Sequence, residues 1–365
     1  MENPEYLTRQ LITYIGSKRA LLGFIGKGIS EVKKKLNKEK LDIFDVFSGS
    51  GITARYFKQY ASKLIVNDIE DYSRVINKCY LANRSEIDEK QLTNSYNKLK
   101  AELSSGNLKK GFISELYSPQ DDNNIIHGER VFYTAKNAAF LDTARQSIEK
   151  LSSPYKEFFL APLLSEASIH TNTAGVFKGF YKNRTTGIGK FGGNNGDALS
   201  RILGDIEIKY PIFSNFECNV DVLQGDSNKT AYLVDEVDLA YLDPPYNQHP
   251  YGSNYFMLNL LVNYKKPEKI SPVSGIPVNW NRSSFNKKRE AYNSFKELTE
   301  KIKAKYLLVS FNSDGYISLE EMLKLLGNLG KVKVLETRYN TYRGSRNLKA
   351  RDIHVKEYLY LVEKK

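Results

Sequence analysis

Short apolar runs rich in β-branched and aromatic residues recur along the chain at residues 41–47, 63–67, 218–223, 237–242 and 306–311, the pattern of strands buried on both faces. Between them, apolar positions fall at helical spacing. Leu21, Leu22, Phe24, Ile25 and Ile29 cover one face, as do Val75, Ile76, Cys79 and Tyr80 in the charged stretch 70–105, and Tyr292, Phe295, Leu298 and Ile302 near the end. Helices are also predicted after residue 51, over 251–262, and up to about residue 327. Strands alternating with helices predict an α/β fold on a mostly parallel sheet. The last two strands, 332–336 and 355–362, have no helix between them and predict an antiparallel hairpin that closes the sheet. From 106 to 204 this alternation stops. Turn-rich stretches such as 117–124 and a polar, aromatic, glycine-rich tract over 171–197 replace it. The expected organisation is therefore a first part at 1–105, an insertion at 106–204, and completion of the sheet at 205–365.

Charge changes this picture. The 365 residues carry a formal net charge of +12, clustered enough to suggest a polyanion partner. Residues 176–190 hold Lys178, Lys182, Arg184 and Lys190 interleaved with Phe177, Phe180 and Tyr181, and no acid, a composition suited to a nucleic-acid surface or to a solvated loop. A second cluster, Arg338, Arg343, Arg346, Lys349 and Arg351, lies between the last two strands. With 2 cysteines far apart and 4 scattered histidines, neither a disulfide scaffold nor a metal site is expected. The first residues lack a basic segment followed by an apolar core, and no apolar run is long enough to span a bilayer. A cytoplasmic protein without membrane contact is the expectation.

Candidate chemistry sits where strands end. Gly16, Ser17 and Lys18 open the first long helix, where a close backbone approach beside an ammonium suits a carboxylate or phosphate; a plain helix entrance is the alternative. The strand at 41–47 runs into Ser48-Gly49-Ser50-Gly51, small residues that let main chain approach a nucleotide-like ligand. The G-x-G-x-x-G fingerprint is absent and no Gly-Lys-Ser/Thr follows, so the expected ligand is a nucleoside without a pyrophosphate. Asp68 ends the next strand, roughly 20 residues after the glycine turn, where an acid accepts both ribose hydroxyls; a solvated turn aspartate is the alternative. The run 237–242 stops at Asp243-Pro244-Pro245-Tyr246, because two prolines end strand or helix alike. That leaves an acidic acceptor, freed main-chain carbonyls and an aromatic ring at the carboxyl end of a strand, where ligands bind in open α/β sheets; a polyproline turn with Tyr246 packed on the prolines is the alternative.

Taken together, these motifs resemble, in order and spacing, the Dam-like class of DNA adenine-N6 methyltransferases, over most of the chain. Tyr14-Ile15-Gly16-Ser17-Lys18 is similar to the family's amino-terminal cofactor motif, Asp45-Val46-Phe47-Ser48-Gly49-Ser50-Gly51 to its glycine motif, Asp68 to its ribose acid, Gly225-Asp226 to the acid beside the cofactor's adenine, and Asp243 to Tyr246 to its catalytic motif. The stretch 164–182, with Asn172, Gly175 and Phe177, resembles the lead into a target-recognition domain. The resemblance implies a Rossmann-like class I methyltransferase sheet with an inserted recognition domain. It also implies S-adenosylmethionine as methyl donor, double-stranded DNA as partner, and a modification role beside a cognate restriction endonuclease without a stable complex. The residues suit that reaction. Asp243 and the Pro244 carbonyl can accept the two hydrogens of an adenine amino group, turning its lone pair outward, while Tyr246 stacks on a base extruded from the duplex. Methylation of adenine in RNA, and a catalytically silent recognition subunit of the same fold, are the rival readings. Glutamine methylation fits less well, because that group resembles Asn-Pro-Pro-Tyr.

Overall fold

A computed structural model describes residues 1–193, 196–340 and 354–365. Seven strands form one sheet: β1 (Leu41–Asp45), β2 (Ala61–Asp68), β3 (Asn219–Gln224), β4 (Val237–Leu242), β5 (Ala304–Asn312), β6 (Gly330–Asn340) and β7 (His354–Lys364). Their order is β3-β2-β1-β4-β5-β7-β6. The pairs β1–β2, β1–β4, β2–β3 and β4–β5 are parallel, whereas β7 runs antiparallel to both β5 and β6. This is the mixed α/β sheet, parallel except for its last strands, that the resemblance implies. From β1 the chain builds outward first to β2 and β3 and later to β4 and β5. Strand order therefore reverses between β1 and β4, and a crevice opens there at their carboxyl ends.

Alternation along the strands sorts side chains between two helical layers. Leu239 and Tyr241 of β4 and Leu359 and Leu361 of β7 pack with Ile25, Ile29 and Phe57 from the helices Leu22–Leu36 and Ile52–Phe57. Ala240, Leu242, Tyr358 and Tyr360 face the other way, against Phe295, Leu298, Met322 and Leu326 of the helices Lys288–Lys301 and Leu319–Leu329. A third body of core joins the helices Asp71–Tyr80, Glu89–Ser104, Ala135–Glu149, Tyr155–Ile169 and Phe256–Asn263. Among the described residues no helix is long and apolar enough to cross a membrane.

Two features depart from the sequence pattern. β1 ends at Asp45 instead of running to Phe47. Val46 N still donates to Tyr241 O at 3.0 Å, so the chain tracks β4 for one more residue before it turns. The stretch 106–204 also contains two helices of 15 residues, Ala135–Glu149 and Tyr155–Ile169, that its turn-rich sequence did not announce. The second is buried from Glu157 through Ser168 and carries Pro162 inside it. A helix buried on all sides has no polar face, so its sequence loses the 3.6-residue period, and an internal proline argues against helix on local grounds.

Candidate active site

The carboxyl end of β4 delivers Asp243 to the crevice on the same face as Leu239 and Tyr241, four and two residues back. Its side chain is 17% exposed, and Lys18 Nζ stands 3.0 Å from Oδ1. Lys18 is buried and also reaches Glu357 Oε1 at 3.2 Å. Burial raises the Asp243 pKa to about 6, with the Lys18 charge opposing the rise and Glu357 adding to it. Burial by itself would lower the Lys18 pKa, but Asp243, Tyr246 and Glu357 together hold it well above the ordinary lysine value. Pro244 is buried and Tyr246 half-buried. The Tyr246 ring meets Phe311 edge-on at 5.6 Å, and Lys18 Nζ sits 5.4 Å from its centroid. Tyr246 O accepts from Tyr316 N at 3.0 Å, which fixes the exit of the loop.

Across the crevice the glycine turn follows β1. Gly49 and Gly51 have φ of +50° and +74°, a backbone region that side chains disfavour. A Cβ on Gly49 would lie 2.9 Å from the Tyr14 ring, so the close approach itself requires glycine. Asp68 closes the turn: its Oδ2 accepts from Gly49 N at 2.8 Å and its Oδ1 from Glu70 N at 2.9 Å. Burial raises the Asp68 pKa to about 6 despite these bonds. Glu70 is pushed higher, to about 8, by burial and then by the Asp68 charge, although Asn259 and Asn281 donate to it. Gly225 N donates to Asp68 O at 3.0 Å, bringing Asp226 to the rim at the end of β3, where its side chain caps the following turn by accepting from Asn228 N.

These residues line one cavity of about 830 Å³, its open mouth included. It brings together Tyr14, Gly16, Lys18, Phe47, Ser48, Gly49, Ser50, Asp68, Gly225, Asp226 and Asp243. Asp45 stands behind the wall, fully buried, with Oδ2 accepting from Thr53 Oγ1 at 2.8 Å and Oδ1 lacking a partner. Burial lifts its pKa to about 7. Tyr14 forms a three-ring cluster with Tyr251 and Tyr255, at 4.9 and 5.0 Å from them, and those two phenols bracket Ile15 by bonding its carbonyl and its amide.

Among the basic residues, Lys182 pairs with Gly189 in a short hairpin whose tip holds Arg184, exposed, with Asn183 Oδ1 accepting from Thr185 N and Thr186 N. Buried Asn172 anchors the hairpin by donating to Val131 O and Lys190 O. Phe177 N donates to Asn254 O at 2.7 Å, tying this tract to the segment just after the Asp243 loop. Lys178 is exposed and close enough to His249 for its charge, after burial, to depress the histidine pKa. Arg338 is exposed on β6, while Arg343, Arg346, Lys349 and Arg351 lie outside the described residues.

Several residues at the site carried no contiguous motif. Tyr251 and Tyr255 read only as helix faces, and Asn281, Ser283 and Asn286 reach the cavity from a loop distant in sequence. Glu70 had a weak local signal, an acid two residues beyond Asp68. Glu357 had a clearer one: a charged residue in phase with the apolar Leu359 and Leu361 of the same strand.

A crevice at the switch point of a class I methyltransferase sheet, with a glycine cradle on one side and an acid followed by two prolines and a tyrosine on the other, defines an enzyme that transfers a methyl group. The chain belongs to the family of D12 class N6 adenine-specific DNA methyltransferases, whose model matches residues 14–324. It is similar to type II methyltransferase M.CviAII of Paramecium bursaria Chlorella virus 1, 29% identical over 96% of this chain and 98% of that protein. It is also similar to type II methyltransferase M.NlaIII of Neisseria lactamica, 27% identical over 97% of this chain and 99% of that protein. Type II methyltransferase M.FokI of Planomicrobium okeanokoites matches at 26% identity, over 96% of this chain but 52% of its own length. Family membership decides for DNA over RNA and for an enzyme over a silent recognition subunit: the protein methylates adenine at N6 in DNA.

Proposed function

We propose that the protein is the site-specific modification enzyme of a restriction-modification system, using S-adenosylmethionine and acting in the cytoplasm on an adenine turned out of duplex DNA. The observation that carries this reading is the shared cavity of Asp243 and the Gly49–Asp68 cradle. A cradle that a Cβ would fill, next to a buried acid, fits a nucleoside, and no Gly-Lys-Ser/Thr follows the glycine turn to hold a pyrophosphate. When bound, S-adenosylmethionine supplies an electrophilic methyl group. Asp68 accepts from its ribose, Asp226 and Phe47 hold its adenine end, and Tyr14, Gly16 and Lys18 border its other end. Asp243 and the Pro244 carbonyl accept from the target amino group, and Tyr246 stacks on the base. The kinship with type II methyltransferases supports the restriction partner. The test is incubation with duplex DNA and methyl-labelled S-adenosylmethionine, followed by sequencing that detects modified adenine. Label on cytosine, or adenine labelled without regard to sequence, would defeat the proposal.

Asp68→Ala is expected to weaken S-adenosylmethionine binding by about 1.5–3 kcal/mol, the range for hydrogen bonds to a charged group. Because Gly49 N would also lose its acceptor, part of that loss is a looser turn. Calorimetry showing unchanged affinity would return Asp68 to a turn residue.

We assign target reading to the segment 106–204, through the exposed hairpin tip at 183–187, with the helices Ala135–Glu149 and Tyr155–Ile169 in the core beneath. Arg184 at the hairpin tip is the residue expected to bridge a guanine O6 and N7, with Lys178, Lys182 and Lys190 on phosphates. Arg184→Ala should relax discrimination at one position of the site by roughly 1–3 kcal/mol. If methylation of a library of near-target duplexes falls uniformly with the ranking preserved, Arg184 is a phosphate contact instead. The basic residues Arg343 and Arg346, which lie outside the described residues, are proposed as a further phosphate grip.

A further inference from the structure

Lys18, Asp243 and Glu357 come from three distant parts of the chain and meet on one face of the sheet. β4, β5 and β7 are adjacent, and Glu357 is in phase with Leu359 and Leu361 just as Asp243 is with Leu239 and Tyr241. Between them on β5, Ser310 Oγ donates to Glu357 Oε1 at 2.9 Å. The side chain of Glu357 is 3% exposed and that of Lys18 4%, so neither meets solvent or duplex directly. A buried ammonium shared by two carboxylates, one at the reacting position and one behind it, has a consequence for the acid in front. Lys18 occupies Asp243 Oδ1, and among the described residues no hydrogen bond to Oδ2 is found.

We infer that Glu357 is a positioning residue for methyl transfer: by taking a share of the Lys18 ammonium it holds that cation on Asp243 Oδ1, keeps Oδ2 free for the adenine amino group, and leaves Asp243 a strong acceptor. The inference rests on the reading of Asp243 as that acceptor. An ammonium given wholly to Asp243 would neutralise it and weaken the bond that turns the nitrogen lone pair outward. An Asp243 with no cation beside it would take up a proton in its buried site. The groups that face the Asp243 carboxyl are Lys18 from the turn before the first long helix, Glu357 from β7, Asp45 from β1, Tyr241 from β4, and Tyr246 and Tyr251 beyond it. Tyr241 and Tyr251 are held well above the ordinary tyrosine range by burial and stay neutral, and Asp45 is common to all variants compared. Lys18 and Glu357 are therefore the adjustable pair.

The experiment is the pH profile of kcat at saturating S-adenosylmethionine for Glu357→Gln, Lys18→Gln and the double variant. Glu357→Gln is expected to lower plateau kcat about tenfold, leave KM for DNA unchanged, and move the acid limb to lower pH by roughly half a unit to one unit. Lys18→Gln is expected to move that limb to higher pH, and adding Glu357→Gln to it to bring the limb back down. Removing both charges leaves Asp243 as the one acid of the trio, at the cavity where it can take up a proton, and no charge buried behind it, so the double variant is expected to fold even where a single one does not. The comparison of Lys18→Gln with the double variant then carries the test. A folded Glu357→Gln with the wild-type limb, or a double variant with the limb of Lys18→Gln, would overturn the role of Glu357, even if kcat fell. Wild-type turnover by Asp243→Asn would instead overturn the underlying assignment of Asp243.

Discussion

Asp243→Ala is expected to abolish measurable methyl transfer, by roughly 10²–10⁴-fold, the range for a positioned proton acceptor, while duplex affinity stays within a factor of about two. The carboxyl faces a cavity lined by the glycine cradle, whereas the basic hairpin that would grip DNA lies on a separate tract tied in through Phe177 and Asn254. The two functions are thus carried by different atoms. The same geometry sets a pH dependence. With a pKa raised to about 6 by burial, Asp243 is ionised and accepting at neutral pH, and turnover should fall as pH drops through about 6. Asp45, lifted to about 7, titrates nearby but behind the wall, so a limb that survives Asp45→Asn belongs to Asp243. Single-turnover rates and filter-binding affinities across pH 5 to 8 check both halves. An alanine variant that turns over at the wild-type rate would remove Asp243 from the chemistry.

Why the catalytic motif was legible before the structure is a matter of locality. The run 237–242 is apolar at nearly every position because β4 is covered on both faces, and the prolines that stop it are the residues beside the reacting acid. The glycine turn and Asp68 are equally local: each lies at the end of a strand whose own composition marks it. Cofactor contacts built from strand ends inherit that visibility. The insertion shows the opposite case. Tyr155–Ile169 is apolar because it fills the core between the helices Asp71–Tyr80 and Phe256–Asn263, a fact set by partners far away in sequence. Its burial erased the period by which a surface helix is recognised.

The same division runs through the site. Tyr14 belongs to a contiguous motif, but the rings that hold it, Tyr251 and Tyr255, are visible only once the helix after the Asp243 loop is folded back against the amino terminus. Glu357 is further from reach, since its meaning depends on β7 lying two strands from β4, and the sequence predicts a hairpin without saying where it inserts. Glu70 is local, yet its partners Asn259 and Asn281 are distant in sequence, and the loop bearing Asn281 packs so tightly that a Cβ on Gly252 would lie 2.3 Å from Asn281 O. Tertiary partners, more than residue types, are what the sequence left undetermined.

Asp142→Ala is expected to cost at least about 3 kcal/mol of stability, since several buried hydrogen bonds to one carboxyl group are lost together. Asp142 is fully buried on the helix Ala135–Glu149. Its Oδ2 accepts from Gly111 N and Ser114 N at 2.8 Å and from Ser114 Oγ at 2.7 Å, and its Oδ1 accepts from Tyr264 Oη at 2.7 Å and Ile113 N at 3.2 Å. The amides belong to the first turn of the helix Phe112–Tyr117, where main-chain donors have no partner within the helix, so the side chain from another helix completes that turn. The approach is close enough that a Cβ on Gly111 would lie 2.7 Å from Oδ1. Alanine would leave these donors without an acceptor in a buried site. The conservative change Asp142→Asn is expected to restore only part of the loss, because the new amide nitrogen would point a donor at donors. Tyr264 follows directly on the helix Phe256–Asn263, which comes after Tyr251 and Tyr255, so the same carboxyl group braces the support of Tyr14. Urea unfolding should therefore show the loss of stability together with weaker S-adenosylmethionine binding. A midpoint within experimental error of wild type would mean that the segments at 111–117 and 264 are held by their packing alone.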